Sequence, residues 1–283
     1  MKNASSLVAA IRNNMQKTTE RATMSLCVIS GKGGVGKTNI TLNIAYALQE
    51  KCSSLLIDCD MGLANLDVLL GIAPEKTMQD ALLGNCQMDD VLYKHESGLH
   101  ILPAASGMPD LVELDKEQRK LLLKRINPML NNYDYVLLDI GAGITNMVQA
   151  FARMAALPIV VITPEPTSLV DSYALIKILY NNHKMRDFMI IVNQVTSPKE
   201  EKQSFGTLAN ACQNFLGIKP SLLGSIRYDP KLIEAVRKQK ALLSYAKDSP
   251  ASLDIIKIAK KIKKVQSVIH TTLIKRKVLQ MPT

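Results

Sequence analysis

Residues 31–38 form a glycine-rich segment with the spacing of a phosphate-binding loop, GKGGVGKT. An apolar run precedes it and a segment with helical spacing follows, which is the strand, loop and helix order that such a loop needs. Its glycines allow backbone N–H groups to approach phosphate oxygens at the start of a helix. Lys37 can then reach the β and γ phosphates of a nucleotide, and Thr38 can ligate Mg²⁺. The residues predicted to bind the nucleotide here are Gly31, Gly33, Gly34, Val35, Gly36, Lys37, Thr38 and Asn39.

Two further apolar runs end in aspartates. Asp58 and Asp60 follow the first run, and Asp139 follows the second, just before a Gly-Ala-Gly sequence at 141–143. Acidic groups at the carboxyl ends of parallel strands lie in the crevice where open α/β sheets bind ligands. A carboxylate there can hold Mg²⁺ through its waters or orient an attacking water. A single aspartate at a strand end is more often a turn residue, but three behind a phosphate-binding loop favour the functional interpretation.

The distribution of apolar segments predicts the fold. At 283 residues the chain can form one large domain or two smaller ones, and no repeat or low-complexity linker divides it. Apolar runs alternate with helical stretches, which predicts an α/β fold with a mostly parallel, doubly wound sheet and helices on both faces. We expect one domain over residues 25–265. Besides the runs next to the motifs, the predicted strands are 99–102, 158–163, 189–193 and 222–226.

Cysteine usage and hydropathy indicate a cytosolic protein. The five cysteines form no CxxC pair, so they indicate neither a disulfide framework nor a metal cluster. We found no signal-peptide core and no apolar run of about 18 residues, the length that would cross a bilayer.

The net charge of +10 lies at the C-terminal end of the chain. Residues 1–230 carry 22 basic and 22 acidic side chains, whereas residues 231–283 carry 13 and 3. This end also has an apolar stripe at helical spacing, formed by Ile258, Ile262, Val265, Ile269 and Leu273.

Three interpretations of this end remain open. A final helix that packs its stripe on the domain is favoured for residues 250 to about 265. For residues 266–283 we expect an amphipathic segment that binds an anionic membrane surface, with a disordered end as the alternative. Nucleic acid is the third possible partner. With 4% aromatic residues and no helix-turn-helix or zinc motif, we do not expect DNA to be bound.

Lys32, the second lysine of the loop, indicates a particular family of nucleotide-binding proteins. Its place beside the glycines resembles the deviant Walker A loop of the MinD/ParA ATPases. The order of five segments resembles a particular group of that family, the FlhG proteins, also called FleN or YlxH, which are MinD-like regulators of flagellar number. These segments are GKGGVGKT at 31–38, IDCDMGLANLD at 57–67, LLDIGAGI at 137–144, ITPEPTSLVDSYALIK at 162–177 and SIRYDPKLIEAVRKQKAL at 225–242.

The resemblance implies a Mg²⁺-dependent ATP hydrolase in which ATP favours a homodimer. Lys32 would reach the partner's nucleotide, Lys37 would bind the phosphates and Asp60 would position the hydrolytic water. The metal region would comprise Thr38, Asp58 and Asp139. Asn193 matches the residue that hydrogen-bonds adenine, and Arg227 stands next to the base where proline is usual. Glu165 and Asp171 would line the dimer side of the site.

The resemblance also implies partners and a location. These are the flagellar GTPase FlhF, with a flagellar transcription activator and the flagellar switch (C-ring) proteins as further candidates. The protein would be cytoplasmic and reversibly bound to the inner face of the cell membrane. Residues 1–24 would be an N-terminal extension that binds a partner, although only Ile11 and Arg12 match the last two positions of the activating element of FlhG proteins.

Two other functions remain open from the sequence. One is a ParA-type ATPase that positions DNA or protein cargo by nonspecific DNA binding. The other is a nucleotide-dependent adaptor whose hydrolysis is incidental.

Overall fold

A computed structural model of the chain describes residues 23–60, 65–104 and 116–279, with side chains of the last helix described up to residue 267. Its strands are β1 Met24–Ile29, β2 Ser54–Asp58, β3 Tyr93–Lys94, β4 His100–Leu102, β5 Tyr135–Asp139, β6 Leu157–Ile162, β7 Met189–Val195 and β8 Ser221–Arg227. The helices are α1 Lys37–Gln49, α2 Leu66–Leu70, α3 Met78–Leu83, α4 Lys116–Leu130, α5 Asn146–Met154, α6 Pro166–His183, α7 Pro198–Leu216, α8 Pro230–Arg237, α9 Leu242–Tyr245 and α10 Pro250–Leu279, with one 3₁₀ turn at Met88–Val91.

The strands form one eight-stranded sheet in the order β3-β4-β2-β5-β1-β6-β7-β8. All neighbouring strands are parallel except the short edge pair β3 and β4. In the register, Val28 of β1 pairs with Asp139 of β5, and Asp58 of β2 also pairs with Asp139. Parallel pairing therefore brings the predicted acidic strand ends to one edge of the sheet, beside the loop that follows β1.

Helices cover both faces of the sheet, because the central strands are apolar on both sides. Within β1, Cys27 and Ile29 belong to one buried cluster, with residues of α3 to α7. Leu26 and Val28 belong to the other, with residues of α1, α2 and α8 to α10. The predicted α/β, mostly parallel and doubly wound fold is confirmed.

Local signals explain where several helices begin and end. Prolines occupy the first turn of α6, α7 and α8, where the missing N–H is not needed. Ser197 and Asp229 cap α7 and α8 by accepting backbone N–H groups. Gly217 ends α7 in the left-handed region, a conformation that glycine adopts readily.

The last helix, α10, runs from the carboxyl end of the sheet to its amino end. Asp254 near its start bonds Arg227 at the end of β8, and the side chain of Gln266 donates to the carbonyl of Asp134, just before β5. Between them, Ile258 packs so closely on Gly224 that a Cβ there would lie 2.7 Å from its Cγ1. One continuous helix thus crosses the boundary predicted between residues 265 and 266. The division of the chain into a domain and a C-terminal segment at that point remains a prediction. None of the described helices is long and apolar enough to span a membrane.

Candidate active site

The loop between β1 and α1 is held in an open turn by its glycines. Gly34 and Gly36 have φ angles of 77° and 91°, in the left-handed region that other residues rarely adopt. Gly31 is required for a different reason, because a Cβ there would lie 2.1 Å from the carbonyl carbon of Asp171 in α6. The Ser30 hydroxyl donates to the carbonyl of Lys32 at 2.6 Å. The loop is therefore fixed from both the strand side and the α6 side.

Lys37 extends from the first residue of α1 into the site. It is only 9% exposed, and burial lowers the pKa of its amine, while the charges of Asp139 and Asp60 oppose that shift. These two carboxylates keep a buried cation tolerable. An amine surrounded in this way is oriented to meet further negative charge, such as that of a phosphate group.

Asp139 at the end of β5 is tied to α1. Its Oδ1 accepts a hydrogen bond from the Thr41 hydroxyl at 3.1 Å, and its carboxylate is also hydrogen-bonded by Thr38. Burial raises its pKa to about 6, against the opposing effect of these bonds and of Lys37. The hydroxyl of Thr38 and the carboxylate of Asp139 consequently lie together, as a pair of hard oxygen donors suited to Mg²⁺.

Asp58 and Asp60 lie next to this pair on β2 and the turn after it. Asp58 accepts the backbone N–H of Asp60 at 3.0 Å, and burial together with the charge of Asp139 raises its pKa to about 8. The carboxylate of Asp60 faces Gly141, where an added Cβ would lie 3.2 Å from Oδ1. Asp58 and Asp139, which are both buried and both have raised pKa values, make a place where a divalent cation would be favourable.

Lys37, Thr38 and Asp60 line one cleft of about 780 Å³. A Cβ added at Gly33 or Gly34 would meet no atom within 4 Å, so the loop presents open backbone to this space. The chemistry of the lining fits a nucleotide phosphate chain with Mg²⁺, since it combines loop N–H groups, the Lys37 amine and oxygen donors. The cleft is lined by Gly33, Gly34, Gly36, Lys37, Thr38, Asn39, Cys59, Asp60, Asn65, Val68, Leu69, Ile140, Gly141, Ala142, Thr145, Met147 and Val148.

Lys32 points away from this cleft, toward the start of α6. Its Nζ donates to Glu165 Oε2 at 2.5 Å and to Thr167 Oγ1 at 3.0 Å. The side chains of Lys32 and Glu165 are 37% and 58% exposed. Lys32 is therefore held by its own chain at the protein surface, whereas Lys37 is buried.

Asn193 and Arg227 lie on the other side of the loop, at the ends of β7 and β8. The amide of Asn193 donates to the carbonyl of Val35 at 2.8 Å and contacts the position where Gly36 would carry a Cβ. Arg227 turns toward α10, where its Nε and Nη2 donate to the two oxygens of Asp254 at 2.6 and 3.0 Å. Neither residue lines the cleft.

Comparison with known proteins agrees with this geometry. Residues 26–243 match the sequence profile of the CobQ/CobB/MinD/ParA nucleotide binding domain, CbiA. The chain is 39% identical to the antiactivator FleN of Pseudomonas aeruginosa over 84% of this chain and 85% of FleN. It belongs to the MinD/ParA family. Within the family it is also 34% identical to the flagellum site-determining protein YlxH of Helicobacter pylori, over 84% of this chain and 81% of YlxH.

The fold agrees with solved structures of the MinD/ParA family. MinD in the MinC:MinD cell division protein complex of Aquifex aeolicus superposes with a TM-score of 0.71 at 28% identity. The match covers 86% of this chain and 96% of that chain. The chain is thus a MinD-like member of a nucleotide-binding family, similar to FleN and YlxH.

Sequence reasoning missed some partners in this MinD/ParA-type site. Thr41 was not predicted, although its position four residues after Lys37 places it one turn further along α1. Asp254 was not predicted either, because it comes from a helix 27 residues after Arg227 and no local pattern joins the two. The structure places Lys37, Thr38 and Asp60 in the lining of one cleft, with Asp139 hydrogen-bonded to Thr38 beside it. Lys32, Asn193 and Arg227 lie outside this lining.

Proposed function

We propose that this protein is a Mg²⁺-dependent ATPase whose ATP-dependent dimerisation and membrane association regulate flagellar number or placement. The observation that carries the proposal is the phosphate-binding loop with a second lysine, Lys32, at its surface. Similarity to FleN and YlxH along most of the chain supports the flagellar part of the proposal.

The loop and Lys37 are the proposed phosphate-binding groups. The N–H groups of residues 33–38 would bind the phosphate oxygens at the start of α1, and the Lys37 amine would contact the β and γ phosphates. Thr38 would hold Mg²⁺ directly, while Asp139 and Asp58 would hold its waters. The bound metal ion would neutralise phosphate charge as it develops. It would also lower the pKa of the two buried carboxyls, which favours their charged form.

Asp60 is the proposed residue that orients the attacking water. It lies at the cleft, beside Gly141, where loss of the γ phosphate would be sensed by the segment after β5. Gly143 in that segment has a φ of 97°, and its N–H donates to the carbonyl of Ser30 at 3.0 Å. Hydrolysis could thereby release a contact between this segment and the strand that leads into the loop.

Lys32 would change partners when two chains associate. An exposed ion pair such as that with Glu165 contributes about 1 kcal/mol or less, so exchange for a nucleotide phosphate of the partner chain requires little free energy. Binding of ATP would therefore shift the population toward the dimer.

Base recognition is assigned to Asn193 and Arg227 at the ends of β7 and β8. The carboxylates that would surround the terminal phosphate come from the ends of β2 and β5 and the turn after β2, on one side of the loop. The nucleoside would extend to the opposite side, where β7 and β8 end. Arg227, fixed by Asp254, would form the rim of that pocket.

Membrane attachment is assigned to the basic segment at 266–283. The protein would be cytoplasmic and would bind the inner face of the membrane reversibly through this segment. The proposed partners are FlhF, a flagellar transcription activator and the C-ring proteins. Removal of residues 1–22, which keeps the whole of β1, would abolish any stimulation of the FlhF GTPase. If stimulation by the truncated protein equals that by the full chain, this segment is not the activator.

The function can be tested with a hydrolysis assay and a count of flagella. Wild type should release phosphate from ATP only with Mg²⁺, and Asp60→Ala should bind ATP with slower release. When supplied to Pseudomonas aeruginosa lacking FleN, wild type should alter the number of flagella per cell and Asp60→Ala should not. Regulation by Asp60→Ala equal to wild type would show that hydrolysis is incidental and that the protein acts as an adaptor.

A further inference from the structure

The guanidinium group of Arg227 is fixed along one edge by α10. Its Nε donates to Oδ2 of Asp254 at 2.6 Å, and its Nη2 donates to Oδ1 at 3.0 Å. Nη2 also donates to the carbonyl of Pro250 at 3.0 Å. A guanidinium has five N–H donors in one plane. These three bonds therefore fix the orientation of that plane, while the side chain stays 47% exposed.

Asp254 is itself held in place by its surroundings. It is buried, and it also accepts the backbone N–H of Arg227 at 3.3 Å. Although burial alone would raise its pKa, the hydrogen bonds from Arg227 hold that pKa below its ordinary value, so the carboxylate is charged at neutral pH. The first turn of α10 is anchored beside it, because Asp229 accepts the backbone N–H of Ala251 at 3.0 Å.

Arg227 lies at the carboxyl edge of the sheet, on the side of the phosphate-binding loop away from β2 and β5. It pairs in register with Val195, two residues after Asn193 on the neighbouring strand β7. The side-chain amide of Asn193 donates to the carbonyl of Val35 in the loop at 2.8 Å. Ligands of open α/β sheets bind outside these strand ends. A nucleotide held by its phosphates at the loop would therefore extend its base toward Arg227.

We infer that the exposed face of the Arg227 guanidinium stacks on the nucleotide base, and that Asp254 is the positioning residue that holds this face. Bases and aromatic rings stack on guanidinium planes, and a bidentate carboxylate gives such a plane a fixed orientation. The inference rests on the proposed function, because it needs a nucleotide at the loop. It adds that affinity for the base depends on a carboxylate of α10.

Inorganic pyrophosphate separates phosphate binding from base binding, because it has no base. With Mg²⁺ and the full chain, Arg227→Lys should weaken ADP binding about fivefold in calorimetric titration. Pyrophosphate binding should not change, because lysine keeps the positive charge but not the plane. GDP affinity should fall by the same factor as ADP affinity, since stacking does not read the hydrogen-bonding edge of a base. Unchanged pyrophosphate binding also shows that the variant folds.

Asp254→Asn tests the positioning residue. Asparagine keeps the size of the side chain but offers one oxygen acceptor instead of two, so ADP binding should weaken about threefold. The double variant Arg227→Lys/Asp254→Asn should bind ADP no more weakly than Arg227→Lys, because Asp254 acts through Arg227. Lys257→Ala is the matched control, since Lys257 donates to the same carboxylate at 3.3 Å from an exposed position. It should leave the ratio of ADP to pyrophosphate affinity at the wild-type value.

The outcomes separate the inference from the proposed function. If Arg227→Lys binds ADP as wild type does, or loses ADP and pyrophosphate affinity equally, the inference fails and the proposed function stands. A loss confined to GDP would indicate hydrogen bonds to the base edge and would overturn stacking. Additive losses in the double variant would show that Asp254 does not act through Arg227. If wild type binds neither ADP nor pyrophosphate with Mg²⁺, the proposed function fails as well.

Discussion

The two ends of the parallel sheet differ in how their functional residues are held. At the carboxyl end, Lys37, Asp58 and Asp139 are buried, and Gly31 packs against the backbone of α6. At the amino end, the start of β1 and the packed part of α10 meet through hydrogen bonds from Met24 and Gln266 to the carbonyl of Asp134. Phosphate chemistry needs side chains held within a fraction of an ångström, whereas attachment to a charged surface needs only charge and apolar spacing. Substitutions should therefore have large effects at the carboxyl end and small effects on stability at the amino end.

The largest effect is expected from Gly31→Ala. A methyl group there would overlap the carbonyl group of Asp171, and backbone cannot move aside as a side chain can. We expect a loss of about 3 kcal/mol or more in the free energy of unfolding, measured by urea titration. Gly33→Ala is the matched control, since a Cβ there meets nothing within 4 Å. Equal stability of the two variants would contradict the close packing of the loop on α6.

Asp58→Asn should stabilise the protein without nucleotide at pH 8. The pKa of Asp58 is raised to about 8 in the folded state, so the folded protein binds more protons than the unfolded chain between about pH 4 and 8, and wild type loses stability as pH rises through that window. Removal of the charge should add about 2 kcal/mol or more at pH 8, since each unit of a raised pKa corresponds to about 1.4 kcal/mol, and nothing near pH 4. Thermal melting across this range measures the difference.

Bound metal and nucleotide should reverse the order of stability of wild type and Asp58→Asn. With Mg²⁺ and ATP bound, wild type should melt above Asp58→Asn, because the charged carboxylate would then support the metal. If Asp58→Asn is no more stable than wild type at pH 8 without ligands, burial does not disfavour the charge of this carboxylate.

Asp254→Ala should cost about 1 kcal/mol of stability, because it removes a bidentate partner from a half-exposed guanidinium. Asp254 accepts two hydrogen bonds from the Arg227 guanidinium and one from the Arg227 backbone N–H, and it is itself largely buried. Lys257→Ala is the control, since Lys257 bonds the same carboxylate at 3.3 Å from an exposed position, and its loss should be close to neutral. If Asp254→Ala and Lys257→Ala lose equal free energy of unfolding in chemical denaturation, the ion pair between Arg227 and Asp254 does not contribute to stability.

The smallest effect on stability is expected from removal of residues 268–283. Gln266 donates to the carbonyl of Asp134, and truncation after Ser267 leaves this contact in place, so it should change the free energy of unfolding by less than about 0.5 kcal/mol. Vesicle binding should fall in the same protein. A large drop in melting temperature would instead place this segment in the packed domain.

The positions of the functional elements were predictable because their signals are local. The helix predicted after the phosphate-binding loop is observed at Lys37–Gln49, and the strand predicted before it is observed at Met24–Ile29. Asp58 and Asp139 were expected at one edge of the sheet, and their register pairing confirms this. A phosphate-binding loop is contiguous in sequence, so its spacing is visible without any tertiary information.

Other contacts were not predictable because they join distant segments. The closeness of Gly31 to Asp171 spans 140 residues, and the pairing of Arg227 with Asp254 depends on how α10 crosses β8. The Asp134 carbonyl accepts hydrogen bonds from both Met24 and Gln266, and this likewise depends on where β1 and α10 lie relative to each other. Hydropathy spacing fixes which face of α10 is buried, but not which residue of another element it meets.

The most direct test of the account is the mass of the protein in solution by light scattering. With ADP and Mg²⁺ the mass should be close to the 31.2 kDa of one chain. With ATP and Mg²⁺ it should approach twice that value, Asp60→Ala should remain there, and Lys32→Ala should stay at the mass of one chain. A Lys32→Ala protein that dimerises with ATP as wild type does, or a wild type with one mass in ADP and ATP, would contradict the proposed switch.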